Sequence, residues 1–188
     1  MVKNDLKSIM ASICIMASGQ GTNAQNIINY FKDTDVKVSF IVTDKECGAC
    51  QVAFENGIDH TIFVSWMSLI NIVKEYEPDL VVLAGFLKQV PNEFLLEFKT
   101  INIHPSLLPK FGGKGMWGLN VHKSVIESRE SESGITIHWV NSEYDKGEII
   151  SQFKCDVSDS DTPESLQIKI KELEKEYFPK VIQKILNI

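Results

Sequence analysis

Two polar side chains stand at the end of an otherwise apolar strand pattern, Asn102 and His104 in the segment Ile101-Asn-Ile-His-Pro105. Side chains two positions apart in a strand project from the same face. An amide N–H beside a protonatable imidazole can donate hydrogen bonds to an oxygen that becomes negative in a tetrahedral transition state. The pair therefore predicts a catalytic site at the carboxyl end of this strand. The alternative is a structural histidine that bonds to backbone.

A carboxylate that could join this pair is Asp145, in the segment Glu143-Tyr-Asp-Lys-Gly147. Opposite-charge attraction would favour the imidazolium form of His104, and the carboxylate could also help to move a proton. Aspartate near glycine is common in turns for backbone reasons alone. The catalytic interpretation of Asp145 therefore depends on its meeting His104.

A glycine-rich turn, Ser18-Gly-Gln-Gly-Thr-Asn23, links a predicted strand to a predicted helix, Ala24–Phe31. Glycines let the backbone approach a ligand, and the start of a helix offers free N–H groups to an anion, so a phosphate fits this turn. The same residues match a dinucleotide fingerprint, with Asp44 as the ribose ligand, so an NAD-type nucleotide-binding protein is an alternative. A turn that only caps the helix is a further interpretation.

A second glycine turn, Ala84-Gly-Phe-Leu-Lys-Gln-Val90, follows the predicted fourth strand. Gly85 allows close approach, and Phe86, Leu87 and Val90 offer apolar walls for a flat aromatic ligand. Alternatively, these residues belong to the core at the strand end. A third cluster, Cys47-Gly-Ala-Cys50, has the spacing of a redox or metal pair, but no second pair accompanies it. We therefore expect an inert pair and no metal site, with His138 a satisfied strand histidine.

Composition limits the class of protein. The chain has 188 residues, 44% hydrophobic and 23% charged, which favours one globular domain, residues 1–188. The net charge of -6 provides no global basic field for nucleic acid, so a small-molecule ligand is expected. No apolar run approaches the ~20 residues of a membrane span, and Met1–Lys7 is unlike a signal peptide. We expect a cytoplasmic protein without membrane contact.

Short β-branched or apolar runs alternate with helix-period stretches along the first half of the chain, which predicts βαβ units and a parallel sheet. The predicted strands are Ser12–Ala17, Val36–Thr43, His60–Val64, Leu80–Ala84, Thr100–Ile103, Ile135–Val140 and Glu148–Cys155. The last two are too close for a crossover helix, so they form an antiparallel hairpin. A final helix starts near Thr162-Pro163 and ends near Ile188. The fold class is α/β, Rossmann-like, with a mostly parallel twisted sheet flanked by helices.

The segments "SGQGTN", "AGFL", "NIHPSLLPKF" and "EYDKGEII", in this order and at these separations, resemble the glycinamide ribonucleotide formyltransferases, folate-dependent enzymes of purine synthesis. The resemblance covers nearly the whole chain. The Asn102, His104 and Asp145 set is shared by the wider 10-formyltetrahydrofolate superfamily, so it indicates chemistry rather than acceptor. Methionyl-tRNA and sugar formyltransferases carry a further carboxyl-terminal domain, and formyltetrahydrofolate deformylases an amino-terminal one, which we do not expect here. Deformylases also tend to have histidine where this chain has Pro105.

The resemblance implies a role for each matching position. His104 would be the catalytic proton donor, with Asn102 beside it and Asp145 raising its pKa. The phosphate and ribose of glycinamide ribonucleotide would contact Gly21, Thr22, Asn23, Lys171, Glu172, Leu173 and Glu174. The co-substrate 10-formyltetrahydrofolate would contact Leu87, Lys88, Gln89, Val90, Asn102, Asn141, Ser142, Glu143, Tyr144 and Asp145. No metal is implied, and the expected assembly is a monomer or weak homodimer.

The chain departs from the family pattern in four places. Thr22 replaces the usual serine and keeps the hydroxyl, whereas Lys88 replaces a common arginine. The third strand, around His60–Ile62, lacks an arginine often found there, so the folate side is expected to be gripped differently. The segment "GGKGMWGLN", residues 112–120, is longer than in many relatives and predicts either a mobile lid or a solvated loop. Alternative functions are a formyltetrahydrofolate hydrolase (deformylase) and a non-catalytic sensor of folate or nucleotide.

Overall fold

A seven-stranded sheet forms the frame of the computed structural model, which describes residues 11–188. The first ten residues, which include Met1–Lys7 and the start of the predicted domain 1–188, lie outside the described residues. The strands are β1 Ala11–Ala17, β2 Val36–Thr43, β3 Asp59–Ile62, β4 Leu80–Leu83, β5 Thr100–His104, β6 Glu132–Trp139 and β7 Ile149–Asp156. All the predicted strands are thus present, with bounds that differ by up to three residues at one end.

The sheet is mixed, with order β3-β2-β1-β4-β5-β6-β7. The first five strands pair in parallel, whereas β6 is antiparallel to both β5 and β7. This confirms the predicted fold class and the predicted hairpin. The chain leaves β1 toward β2 on one side and returns to β4 on the other, so the strand order reverses between β1 and β4. Ligands of open α/β sheets bind beyond the carboxyl ends of the strands at such a reversal.

Helices cover both faces of the sheet and bury two hydrophobic layers. The helices are α1 Thr22–Phe31, α2 Gly48–Glu55, α3 Trp66–Glu75, α4 Asn92–Glu97, α5 Leu119–Glu127 and α6 Pro163–Leu186. On one face Ile27 of α1, Val125 of α5 and Leu166 of α6 belong to one cluster of buried residues. On the other, Leu69 of α3 and Phe94 of α4 are buried in a second cluster. None of the helices within residues 11–188 is long and apolar enough to cross a membrane.

Helix α6 begins and continues for clear physical reasons. The hydroxyl of Thr162 accepts from the backbone N–H of Ser165, whose own hydroxyl accepts from the Thr162 N–H. This reciprocal cap occupies N–H groups that would otherwise lack partners. Further along, Pro179 has no N–H for the carbonyl of Lys175, and the side-chain amide of Asn26 in α1 donates to that carbonyl at 2.9 Å. The proline therefore does not end the helix, and the contact joins α1 to α6.

Candidate active site

The structure brings the three predicted catalytic side chains together beyond the end of β5. Asn102 and His104 lie on β5, and Asp145 lies in the turn between β6 and β7. The distance from His104 Nδ1 to Asp145 Oδ2 is 3.4 Å. Asn102 Nδ2 donates to Asp145 Oδ1 at 3.4 Å. Side-chain exposure is 4% for His104 and 11% for Asp145, so their interaction is only weakly screened by water.

The orientation of His104 is fixed by a backbone carbonyl. His104 Nε2 lies 2.8 Å from the carbonyl oxygen of Phe111, which can only accept, so Nε2 carries a proton. In the neutral imidazole, Nδ1 is therefore the unprotonated nitrogen, and it is the nitrogen that faces Asp145. The backbone contact predicted by the structural interpretation of His104 is thus present, but it leaves the second ring nitrogen available for chemistry.

Burial controls the pKa of His104. Desolvation lowers this pKa most, whereas the charge of Asp145 and the hydrogen bond to Phe111 raise it, and His138 lowers it further. The net pKa lies below the ordinary value. The sequence predicted that Asp145 would raise the pKa of His104, and the carboxylate does act in that direction, but desolvation outweighs it. His104 is therefore mainly neutral at neutral pH in the ligand-free protein.

Asp145 is held as a carboxylate. Burial raises its pKa, but the proximity of His138, the charge of His104 and the N–H of Gly113 lower it, and the lowering causes win. The Gly113 N–H donates to Asp145 Oδ2 at 2.8 Å. This bond also connects the carboxylate to the segment 112–120. An anion beside a neutral imidazole is an arrangement that stabilises positive charge once a proton arrives on His104.

A fourth group, His138, was not predicted for the site. His138 Nδ1 lies 2.8 Å from the carbonyl oxygen of Trp139, so this ring nitrogen has the backbone partner expected of a structural strand histidine. Its Nε2 then accepts from Asn102 Nδ2 at 3.1 Å and lies 3.7 Å from Asp145 Oδ1. His138 pairs directly with Asn102 across β5 and β6. The register of that antiparallel pair is the signal that would have revealed it.

The glycine-rich turn after β1 opens into a large cavity. Gly21 has φ 78°, and a Cβ there would lie 2.8 Å from the Ala49 Cα, so the position requires glycine for conformation and for space. No side chain caps α1, which leaves its first N–H groups facing the cavity mouth. The cavity has a volume of about 680 Å³ and extends to His104. Its described lining includes Gly21, Thr22, Asn23, Asn102, His104, Asp145, Lys171 and Glu174.

Of the four residues on α6 that were predicted to contact the ribose side of the acceptor, only two line the large cavity. Lys171 and Glu174, one helical turn apart, line the cavity, and Glu174 Oε2 accepts from Asn23 Nδ2 at 2.9 Å. Burial raises the pKa of Glu174, while Asn23 and Lys171 act against that rise. Glu172 lines a neighbouring groove instead, and Leu173 packs against the hydrophobic core. The structure thus places Leu173 away from the cavity, because its side chain lies on another face of the helix.

A second, smaller pocket of about 60 Å³ lies beside the first. Of the residues predicted for the folate, this pocket is lined by Lys88, Gln89, Val90, Asn102, Asn141, Glu143, Tyr144 and Asp145. Leu87 faces the large cavity. Ser142 links the two walls of the pocket, because its carbonyl accepts from Gln89 Nε2 at 2.6 Å. Lys88 Nζ lies 5.0 Å from the centre of the Phe63 ring, as a cation–π contact.

The two pockets meet at the catalytic groups. Asn102 and Asp145 line both of them, and His104 lines the large cavity next to this junction. The segment Gly113–Gly118 also lines the large cavity, and Trp117 within it is 53% exposed. Leu119 and Asn120, which the sequence assigned to the same loop, form the first turn of α5. Two ligands, one in each pocket, would therefore meet at Asn102, His104 and Asp145.

Other sequence candidates lie outside this arrangement. Asp44 is not among the described residues that line the large cavity, and its buried Oδ1 has no hydrogen-bond partner among residues 11–188. Cys47 and Cys50 stand at the start of α2, and burial raises the pKa of the Cys47 thiol. In the part of the chain that is described, no three His, Cys, Asp or Glu side chains are grouped so that they could hold a metal ion.

Comparison with known proteins defines the class. The chain belongs to the formyl transferase family, whose sequence model matches residues 11–182. It is similar to the chloroplastic phosphoribosylglycinamide formyltransferase of Arabidopsis thaliana, at 37% identity over 90% of this chain and 63% of the relative. The Haemophilus influenzae phosphoribosylglycinamide formyltransferase is 33% identical over 93% of this chain and 86% of the relative. The chain thus spans less than two thirds of the plant relative's length.

A solved structure gives the same result for the fold. The crystal structure of phosphoribosylglycinamide formyltransferase from Bacillus halodurans superposes with a TM-score of 0.85 at 31% sequence identity. The match covers 93% of this chain and 95% of that one. The fold that positions the candidate site is therefore shared with a solved formyltransferase structure.

Proposed function

We propose that this protein transfers the formyl group of 10-formyltetrahydrofolate to the primary amine of glycinamide ribonucleotide, a step of purine biosynthesis. The observation that carries the proposal is the meeting of two pockets at Asn102 and Asp145. Family membership supports formyl transfer, and the names of the similar proteins support the acceptor.

The large cavity suits the acceptor. A phosphate group fits the uncapped start of α1, where Gly21, Thr22 and Asn23 offer backbone N–H groups, a hydroxyl and an amide. Lys171 adds positive charge at the same end. The Glu174 carboxylate can accept hydrogen bonds from ribose hydroxyls. When the phosphate and the ribose are bound in this way, the amine of the acceptor lies toward His104.

The small pocket suits the folate head group. Val90 and Phe86 form apolar walls, and the backbone and side-chain groups of the Asn141–Asp145 turn provide polar contacts. The pocket has a volume of about 60 Å³ and shares Asn102 and Asp145 with the large cavity. Lys88 lines this pocket and supplies a positive charge on the folate side.

Catalysis then follows from the positions of the three groups. The amine nitrogen forms a bond to the formyl carbon, which becomes tetrahedral and leaves its oxygen negative. Asn102 donates a hydrogen bond to this oxygen, and His104 donates a second one once it has taken up the amine's proton; one such donor contributes ~3 kcal/mol in measured cases. Collapse of the intermediate breaks the bond between the formyl carbon and the folate nitrogen.

Proton movement balances the reaction. The amine must lose one proton and the departing folate nitrogen must gain one. Neutral His104 has a free lone pair at Nδ1, and the Asp145 carboxylate lies 3.4 Å from that nitrogen, so the pair can take up the amine's proton, directly or through water. The imidazolium, stabilised by Asp145, then supplies a proton to the folate nitrogen.

An assay with purified protein and 10-formyltetrahydrofolate tests the proposal. We expect rapid release of tetrahydrofolate with glycinamide ribonucleotide as acceptor and little with water alone. Release at the same rate in water would indicate a deformylase, and binding of both ligands without turnover would indicate a sensor. His104→Ala should reduce turnover by ~100-fold or more. The exposed histidine His60 on β3 provides the matched control, His60→Ala, which should retain full activity.

A thermal-shift measurement addresses the remaining alternative. A ligand that binds the folded state raises the melting temperature by mass action. We expect glycinamide ribonucleotide to stabilise the protein and saturating NAD to have no effect. Stabilisation by NAD instead would favour the nucleotide-binding interpretation. Sedimentation of the same sample tests the expected monomer or weak homodimer.

A further inference from the structure

The imidazole of His122 is a buried polar group that the mechanism does not use. His122 lies on α5, is 2% exposed and lines the large cavity. Among the described residues, its Nδ1 has no hydrogen-bond partner. Buried polar atoms without a partner are rare in folded proteins and costly, and a site for water or a ligand is one of their explanations. The cavity beside His122 therefore needs an occupant that can form hydrogen bonds.

His122 is a neutral group that lines the same cavity as Lys171 and His104. Burial, the charge of Lys171 and the charge that His104 carries when protonated together lower its pKa to about 4, with burial the largest cause. A neutral imidazole carries one hydrogen-bond donor and one acceptor. It complements a group that also has one of each, such as a carboxamide, better than it complements a phosphate, which favours cations.

The position of His122 in the cavity indicates which part of the acceptor would lie next to it. On the proposed function, the phosphate lies at Gly21–Asn23 and Lys171, and the reacting amine lies at His104. The atoms between these two ends are the ribose and the carboxamide that joins the ribose to the amine-bearing carbon. His122 lines the same cavity as Lys171 and His104, and we place this middle portion of the acceptor beside it.

We infer that His122 is a specificity-determining residue that hydrogen-bonds the carboxamide of the acceptor. The inference rests on the proposed function and adds to it. The carboxamide distinguishes glycinamide ribonucleotide from other ribose phosphates that could enter the same cavity. His122 thereby holds the arm that carries the amine, while Gly21–Asn23 and Lys171 hold the phosphate.

Steady-state kinetics of His122→Leu and His122→Gln test this role. Leucine has a similar volume without polar atoms, and glutamine keeps a donor and an acceptor. For His122→Leu we expect the KM for glycinamide ribonucleotide to rise about tenfold, which is the loss of one hydrogen bond. The KM for the folate should not change, and His122→Gln should recover part of the loss. Ser124→Ala on the same helix should behave as the wild type.

Inhibition by ribose 5-phosphate separates recognition from a structural effect, because this compound has the phosphate and ribose but no carboxamide. Its inhibition constant should be the same for the wild type and His122→Leu. The ligand-free melting temperature of His122→Leu should equal or exceed that of the wild type, since the substitution removes an unpaired buried polar atom.

Three results would overturn the inference. They are an unchanged KM for the acceptor in His122→Leu, an equal weakening of ribose 5-phosphate inhibition, or a lower ligand-free melting temperature with no recovery in His122→Gln. Each of these can be observed in an active enzyme, so they refute the inference alone. A wild-type protein without formyl transfer would instead refute the proposed function, and the inference with it.

Discussion

Replacing Asp145 with asparagine removes the negative charge beside His104 and keeps the side-chain size. The Gly113 N–H can still donate to the asparagine carbonyl oxygen, so the turn that holds residue 145 keeps its main contact. The imidazolium of His104 loses its only close carboxylate among the described residues. In Asp145→Asn the pKa of His104 should therefore fall still further below its ordinary value.

The magnitude follows from the distance between the two groups. Unit charges 3.4 Å apart, as for His104 Nδ1 and Asp145 Oδ2, attract by about 5 kcal/mol at an effective dielectric constant of ~20. Water that reaches the 11% exposed carboxylate reduces this value. Even half of it corresponds to roughly 100-fold in rate, because each 1.4 kcal/mol is about a factor of ten.

The assay is the initial rate of formyl transfer to glycinamide ribonucleotide across a pH series, with both substrates saturating. Asp145→Asn should reduce kcat by about 100-fold or more, while the KM for the acceptor changes little. Glu148→Gln, an exposed carboxylate close in sequence, is the control for the loss of one negative charge. If Asp145→Asn kept more than about a tenth of the wild-type kcat, the carboxylate would not stabilise the imidazolium as argued.

Three further predictions concern the frame of the site. Gly21→Ala places a Cβ 2.8 Å from the Ala49 Cα at a φ of 78°, so it should lower the free energy of unfolding in urea by about 1–3 kcal/mol and raise the KM for the acceptor but not for the folate. Thr162→Ala removes the cap of α6 and should cost about 1 kcal/mol in the same urea titration with unchanged kcat. For His122, the folded pKa of about 4 lies below the unfolded value of 6.5, so its contribution to stability is complete above pH 6.5 and is lost as the pH falls toward 4. Between pH 6.5 and 4, the free energy of unfolding of His122→Leu should therefore fall by about 3 kcal/mol less than that of the wild type. Parallel pH profiles of the free energy of unfolding for the two proteins would contradict this.

The sequence predicted most of the fold because the hydrophobic period is strong in this chain. Val36–Thr43 has the same bounds in prediction and structure, since it is buried along most of its length and bordered by polar turns. The third strand is less accurate, because β3 is a short edge strand with exposed residues and Val64 lies beyond its end. Edge strands carry a weaker apolar pattern than central ones, so their ends are difficult to read.

Part of the site could be predicted because parallel strands end at the same edge of a sheet. Asn102 and His104 were identified from their spacing on one strand, and Asp145 from the family resemblance together with its turn. His138 was assigned only a structural role, because its partnership with Asn102 depends on the register between β5 and β6. Residue spacing along the chain does not contain that register.

Two further features depend on three-dimensional packing. The net pKa of His104 is a balance between desolvation and the charge of Asp145, and the extent of burial cannot be read from residue types. Leu173 was included with its neighbours on α6, but helical geometry turns it toward the core while Lys171 and Glu174 face the cavity. In both cases the sequence identified the right segment, and packing decided the outcome.

The central claim is that Asn102, His104 and Asp145 converge on the formyl group while it passes between two bound ligands. A crystal structure with glycinamide ribonucleotide and a non-reactive formyl-folate analogue tests it most directly. The account predicts the phosphate at the start of α1, and the analogue's carbonyl oxygen within about 3 Å of both Asn102 Nδ2 and His104 Nδ1. A carbonyl oxygen that points away from both nitrogens, or a phosphate bound elsewhere, would contradict the account.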